Sequence, residues 1–316
     1  MVAFAGLTLQ DEPIMNWGFN RTARQGNYFS MVDRMLVDGG VWQEAPIYPV
    51  YGRNLWCMAT MSFYRRLYDG KDWFTWKSPG GGSPRGLMDY FIDTAYPIER
   101  TGVGSGGFPS ARIRIATFGD GSTNPGGDTF LSDLLDELTI AYACTGDAGY
   151  GGLLAVLAAG RQDGKMKIYY SSSLMYAGSK PNLWDRPPLP EGEPQLPPAP
   201  SKVWPTFGLA MLRSDESPNY WTSPESIAIQ HILTRPYGHD QPHKFHISMF
   251  GAGRLLYPDF LALQYEHRGM GWTYTSSSHN TMQVDEQDTR AVQPHGSIGV
   301  SQAQQAAIVH IDVRRV

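Results

Sequence analysis

Residues 180–205, "KPNLWDRPPLPEGEPQLPPAPSKVWP", divide this chain more sharply than any other feature. Prolines at this density lack backbone donors and cannot sit in helix interiors or central strands. The segment reads as an extended linker of polyproline character, and the domain boundary is expected there. Three units follow: residues 1–180, a linker over 181–205, and residues 206–316.

Before the linker the texture is helical. "GNYFSMVDRMLVDGG" puts Phe29, Val32 and Leu36 on one face and stops at Gly39-Gly40. "RNLWCMATMSFYRRLYDG" repeats the pattern with Leu55, Met58, Ala59, Ser62 and Phe63. In "DTFLSDLLDELTIAYACTGD", Leu131, Leu134, Leu135, Leu138 and Tyr142 keep helical spacing and Gly146 supplies the C-cap. "GYGGLLAVLAAGRQDG" gives a shorter helix. Long Gly- and Pro-rich loops, "KSPGGGSPRG" and "TGVGSGGFPS", separate these helices. Helix, long loop, helix is the texture of a toroid of helix pairs whose loops build a cleft. "GVGSGG" has no preceding strand and no Gly-Lys-Ser, so it is not a phosphate loop.

After the linker come short apolar or alternating runs: "FGLAMLRSD", "SIAIQHILTRP", "KFHISMFGAGRLLYPD", "NTMQVDEQ" and "AAIVHIDVRRV". Such runs predict an antiparallel β-sandwich. The fold class is therefore α+β and multidomain: an incomplete helical toroid, then a sandwich. The first residues lack the pattern of a signal peptide, and the last stop inside a strand-like run. A fragment cut at both ends is expected.

At 316 residues the chain is long for one ordinary core. Aromatics at 12 % and charged residues at 18 % suit either a sugar-stacking cleft or large aromatic cores. A net charge of −4 gives no footprint for nucleic acid. No run of about 20 apolar residues offers a membrane span. Cys57 and Cys144 sit in helical segments as buried thiols, and a disulfide framework is excluded. The oligomeric state is not readable.

The histidines carry the chemistry. Of eight, those at 231, 239, 243, 246, 267 and 279 fall within one stretch. Alternation in "HKFHISMFGAG" groups His246, Ser248 and Phe250 on one face, expected to point away from the core, which leaves His246 without a role. His239 and His243 precede the strand in a loop stiffened by Pro242, where chemistry is commonly carried. Asp259 ends the partner strand and His279 opens another run. Asp259, His279 and one of His243 or Gln241 could meet around a divalent ion, with zinc favoured by the mixed ligands. A hydrogen-bonded Asp–His pair without metal is the alternative.

"GH…FGAGRLLYPD" followed by "SSHNTMQVD" resembles the heparinase II/III family of polysaccharide lyases. "LVDGGVWQEAPIYPVY" is similar to the family's Asp-Gly-…-Glu-Gly-x-x-Tyr-x-x-Tyr segment, and "WPTFGLAMLRSD" to its first sandwich strand. The resemblance covers residues 26–51 and most of 203–285. It implies a carbon–oxygen lyase that cleaves a uronate-containing anionic polysaccharide, a glycosaminoglycan or alginate, by β-elimination in the periplasm or outside the cell. Tyr48 matches the tyrosine that protonates the leaving oxygen, with Tyr51 the alternative register. His239 matches the catalytic histidine. Asp259 and His279 match the ligands of a structural metal. The loop departs from the family at Gln241 and His243, so His243 is expected as the replacement ligand. The residues that neutralise the substrate carboxylate are expected upstream of Met1. A glycan-binding protein without catalysis and a metal-dependent hydrolase on Asp259, His243 and His279 are the rival readings.

Overall fold

The computed structural model describes residues 5–6, 9–20, 28–51, 54–99, 112–120, 129–158, 193–232, 239, 241–259, 263, 267–283, 285–288, 298–303 and 306–311. Helices dominate the first half and antiparallel sheets the second, an α+β arrangement. The helices are α1 (Glu12–Asn20), α2 (Tyr28–Met35), α3 (Ile47–Tyr51), α4 (Asn54–Asp69), α5 (Pro84–Asp93), α6 (Leu135–Thr145), α7 (Ala148–Ala158) and α8 (Met270–Thr273). Among the described residues, two hairpins interrupt the helical half. They are β1 (Leu36–Val37) with β2 (Val41–Trp42), and β3 (Ala95–Glu99) with β4 (Arg112–Ile115).

Local signals explain the helix ends. Ser83 caps α5, accepting from the Gly86 N–H at 2.9 Å, with Pro84 at the first helical position. The run expected to start a helix at Leu131 begins as a 3₁₀ turn over Leu131–Leu134 and becomes α6 at Leu135. Gly146 ends α6 in the left-handed region, its N–H on the Tyr142 carbonyl.

The second half contains one five-stranded antiparallel sheet in sequence order. Its strands are β5 (Lys202–Trp204), β6 (Leu209–Arg213), β7 (Ala228–Ile232), β8 (His246–Gly251) and β9 (Arg254–Tyr257). A separate hairpin pairs β10 (Ile298–Ala303) with β11 (Ala306–Ile311). The expected strand at "NTMQVDEQ" is absent among the described residues: 280–281 bend, 282–283 are irregular, 285–286 turn, and Gln287 forms only an isolated bridge. Side chains of this segment tie it to distant carbonyls instead. Asn280 Nδ2 donates to the Pro258 carbonyl at 2.8 Å, and Thr281 Oγ1 to that of Lys244.

Register places Met211 beside Gln230 and Gln230 beside Ser248. Met211, Gln230, Ile232, His246, Ser248 and Phe250 are all buried, whereas Ile247 is 45 % exposed. The expected alternation of β8 holds, but its face is inverted: His246 points into the protein. The reason is tertiary. Phe250 needs an apolar neighbour and finds it in Tyr96 of β3, ring on ring. Everything two and four residues before Phe250 is then carried inward.

One apolar cluster runs through both halves, from Met15 to Phe250. Trp204 meets Tyr90 edge to face at 5.7 Å, and Phe207 meets Phe118 at 5.6 Å. Buried Arg213 donates to the carbonyls of Pro200 and Asp93, and Tyr220 Oη donates to that of Ala95 at 2.9 Å. Residues 193–200 of the proline-rich segment lie against the body. Trp221 Nε1 donates to the Pro197 carbonyl at 2.7 Å, and Ala199 N to that of Glu216. At Gly152 of α7 a Cβ would stand 2.2 Å from the Gln195 oxygen, so glycine is required for this approach. The expected extended linker is in this part a docked strap; residues 181–192 lie outside the described ones.

Candidate active site

The two halves bring Tyr48 and His239 together. Tyr48 sits on α3, a single helical turn that starts after Pro46, with the Tyr48 N–H on the Ala45 carbonyl. The His239 ring stacks on the Tyr48 ring, centroids 4.0 Å apart and planes at 22°. His239 Nδ1 lies 2.5 Å from Glu44 Oε1, and the other oxygen of Glu44 accepts from Trp42 Nε1 at 3.3 Å. The His239 side chain is 40 % exposed, so it is reachable from solvent. The Tyr51 side chain lies outside the described ones.

The backbone of His239 is held as tightly as its ring. Its φ is +65°, a left-handed conformation that a non-glycine residue adopts at a cost. Its carbonyl accepts from the Asp120 N–H at 3.1 Å. Gly119 makes this approach possible. Its own φ is +66°, and a Cβ there would lie 2.8 Å from the His239 oxygen and 3.1 Å from Ala45 Cβ.

Asp120 continues the latch. It accepts from Tyr274 Oη at 2.6 Å and from Gln241 Nε2 at 3.2 Å. Gln241, weighed as a metal ligand from the sequence, gives its amide nitrogen to Asp120. Ser276 Oγ donates to the Pro242 carbonyl at 2.6 Å, so His239 and residues 241–243 are pinned from two sides.

A second cluster lies at the start of β8. His246, Asp259 and His279 have ligand atoms all within 4.8 Å of one another. His279 Nδ1 is 2.7 Å from Asp259 Oδ1, and His246 Nδ1 is 3.6 Å from the same oxygen. The far nitrogens are committed elsewhere. His279 Nε2 lies 3.1 Å from the Thr273 carbonyl, and His246 Nε2 2.7 Å from Ser248 Oγ. A carbonyl only accepts, so His279 Nε2 carries a proton. Nδ1 then faces the carboxylate either as a lone pair with a cation between them or as a second N–H that makes the ring an imidazolium, so a metal ion or a proton satisfies the contact. Asp259 Oδ2 and His246 Nδ1 have no hydrogen-bond partner among the described residues, although both are buried. Two imidazoles oriented through their remote nitrogens, plus a carboxylate with an orphaned oxygen, fit a divalent cation.

The third member of that cluster is His246, where the sequence suggested His243. His243 is fully buried beside it, its ring 5.3 Å from His279 and 6.1 Å from His246 by centroids. Burial pushes His243 down to about 3, despite the nearby Asp259. It is a neutral ring. Burial also lowers His246. Burial alone would raise Asp259, but the hydrogen bond from His279 and the surrounding histidines outweigh it and hold the carboxyl below its usual range.

Sequence reasoning missed Glu44 and Asp120. Glu44 stands in the quoted segment four positions before Tyr48, yet its target is 195 positions away, beyond any spacing argument. Asp120 gives no local signal.

No family model matches the chain, and no curated protein does. Solved structures do, at the level of fold. The chain is similar to "Crystal Structure of Heparinase III", with a TM-score of 0.58 and 13 % identity over 98 % of this chain and 41 % of that one. It is also similar to the heparan sulfate lyase HepC from Pedobacter heparinus, with a TM-score of 0.60 and 12 % identity over 98 % of this chain and 40 % of that one. The chain thus spans about two-fifths of the length of these neighbours. Among the described residues, no helix is long and apolar enough to cross a membrane.

Proposed function

We propose that this chain carries the catalytic centre of a polysaccharide lyase that breaks a uronate-containing anionic glycan by β-elimination, with Tyr48 and His239 as its proton-transfer pair. The observation that supports this most is the stack itself. A phenol and an imidazole, one from each half of the fold, stand 4.0 Å apart at a solvent-reachable point. In this reading the helical half is part of a toroid of helix pairs and the five-stranded sheet is part of a sandwich. The glycan lies between them.

The chemistry wants such a pair. The C5 proton of a uronate is a poor acid, and the leaving O4 departs poorly as an alkoxide. One group must take the first proton and another must supply the second. Each positioned transfer contributes about 10²–10⁴-fold. Imidazole is a competent base near neutrality, and a phenol can donate without prior ionisation. The Asp120 N–H and the Glu44 carboxylate fix His239, which keeps the two groups in register.

His246, Asp259 and His279 would hold a divalent cation, zinc by donor type. Bound there, the ion would supply the positive charge that the His279–Asp259 contact calls for and would brace the mouth of β8. A periplasmic or secreted location follows from the substrate class in this reading.

The test is an assay of the full-length protein against alginate, heparan, chondroitin, hyaluronan and ulvan, following unsaturated product in the ultraviolet. Absorbance should rise on at least one substrate and be lost in Tyr48→Phe and in His239→Ala. Reducing ends without ultraviolet absorbance would indicate a hydrolase. Binding without turnover would indicate a glycan-binding protein.

A further inference from the structure

We infer that Glu44 is a positioning residue of this centre: its carboxylate holds His239 in the Nδ1–H tautomer and so makes Nε2 the ring's proton acceptor. The inference rests on the lyase reading for its catalytic consequence, but its geometric part stands on the structure alone. Both carboxylate oxygens are engaged. Oε2 accepts from the indole of Trp42, and Oε1 lies 2.5 Å from His239 Nδ1. Trp42 is 4 % exposed and belongs to the core, so the aim of the carboxylate is set by packing. An ionised carboxylate only accepts, and Nδ1 must therefore carry the proton. In the neutral ring the lone pair then belongs to Nε2.

The ring cannot easily exchange its two nitrogens. Turning it over would put Cδ2 in place of Nδ1 against Glu44, and swinging it away would break the stack on Tyr48. This assigns the two proton transfers. A histidine whose acceptor nitrogen is fixed takes the C5 proton, and Tyr48 gives its proton to the leaving oxygen. The competing view is that the Glu44–His239 contact simply ties the helical half to the sheet. A tie would affect stability and leave the tautomer alone.

The experiment uses the full chain, labelled with ¹⁵N-histidine. At a pH where His239 is neutral, its ring should show the Nδ1–H tautomer in the wild type. In Glu44→Gln, whose amide can donate as well as accept, the tautomer should become mixed or reverse. On a substrate that the wild type eliminates, kcat of Glu44→Gln should fall by about 10²-fold or more with KM within about threefold. Glu44→Asp, which keeps the charge, should retain the tautomer and recover part of kcat. A wild-type Nε2–H tautomer would overturn the inference, as would a Glu44→Gln variant with both tautomer and kcat unchanged. A fall in kcat that tracks loss of thermal stability, with the tautomer intact, would also overturn it in favour of the tie. If the tautomer responds as expected but the wild type eliminates none of the glycans tested, the positioning role stands and the lyase reading fails.

Discussion

The ring of Phe250 on β8 lies nearly flat on the ring of Tyr96 on β3, with centroids 5.6 Å apart and planes 13° apart. This contact decides which face of β8 is inside. It carries Ser248 and His246 inward with Phe250, and sets His246 beside Asp259 and His279. Replacing Phe250 by Ala should cost about 3–5 kcal/mol, as for other buried aromatics. If a metal is bound, its affinity should weaken as well. Denaturant titration with and without zinc checks both.

Metal content separates the two neighbouring histidines. Purified wild type should hold close to one divalent ion per chain, and His246→Ala and His279→Ala should lose it. His243→Ala should keep it. At zinc concentrations about 100-fold above the dissociation constant, the wild type should gain about 2.7 kcal/mol of stability over the metal-free protein, a gain absent in His246→Ala. Elemental analysis and thermal unfolding are the measurements. Retention of metal by His246→Ala with loss by His243→Ala would restore the ligand set suggested by the sequence.

Gly119 tests how far the proposed active centre depends on one close approach. Gly119→Ala places a methyl group 2.8 Å from the His239 oxygen at a backbone angle that disfavours any side chain. The expected cost is about 1–3 kcal/mol, together with displacement of the His239 loop. Turnover should fall further than the stability loss alone accounts for. Unaltered turnover would show that the loop adjusts without consequence.

Arg213 should resist conservative replacement. Its guanidinium reaches the Pro200 carbonyl with one arm and the Asp93 carbonyl with the other, above the ring of Tyr220. Lysine carries the charge but not the fork. Arg213→Lys should therefore destabilise by about 2–3 kcal/mol, since at least one buried hydrogen bond to a charged group is lost. Urea midpoints at constant slope would measure it.

The two thiols should differ in reactivity. Burial pushes the Cys144 thiol up to about 11, although Arg66 opposes the shift. Thiolate is the reactive form, so at pH 7–8 Cys144 should remain unlabelled by maleimide in the folded protein. It should react only after unfolding. Mass spectrometry of digests identifies the labelled cysteine, and rapid labelling of Cys144 under native conditions would contradict its burial.

The helices were legible because their signals are local: apolar spacing through Leu131–Leu138, a glycine stop at Gly146, a serine cap at Ser83. The β-texture after the prolines was legible for the same reason. The orientation of β8 was not, because two faces of an alternating strand look alike until Tyr96, some 150 positions earlier, selects one. Gln241 shows the same limit. As a polar residue beside histidines it reads as a possible ligand, and nothing local in the sequence shows that its amide nitrogen is given to Asp120. The proline run predicts an extended segment, and composition does not reveal that Trp221 and α7 dock residues 193–200. Limited proteolysis should accordingly spare 193–200 in the folded protein.

The shared core also has a consequence for how the protein assembles. Arg213 and Asp93 are 120 positions apart, Tyr220 and Ala95 125, and His239 and Glu44 195. Contacts of such sequence separation require large loops to close before they return any stabilisation, which slows folding. The Glu44–His239–Tyr48 arrangement should thus be among the last features to form. Activity regained during refolding should lag behind the recovery of helical circular dichroism, and a nascent chain should acquire no catalytic competence until residue 239 and the sheet around it have emerged and docked.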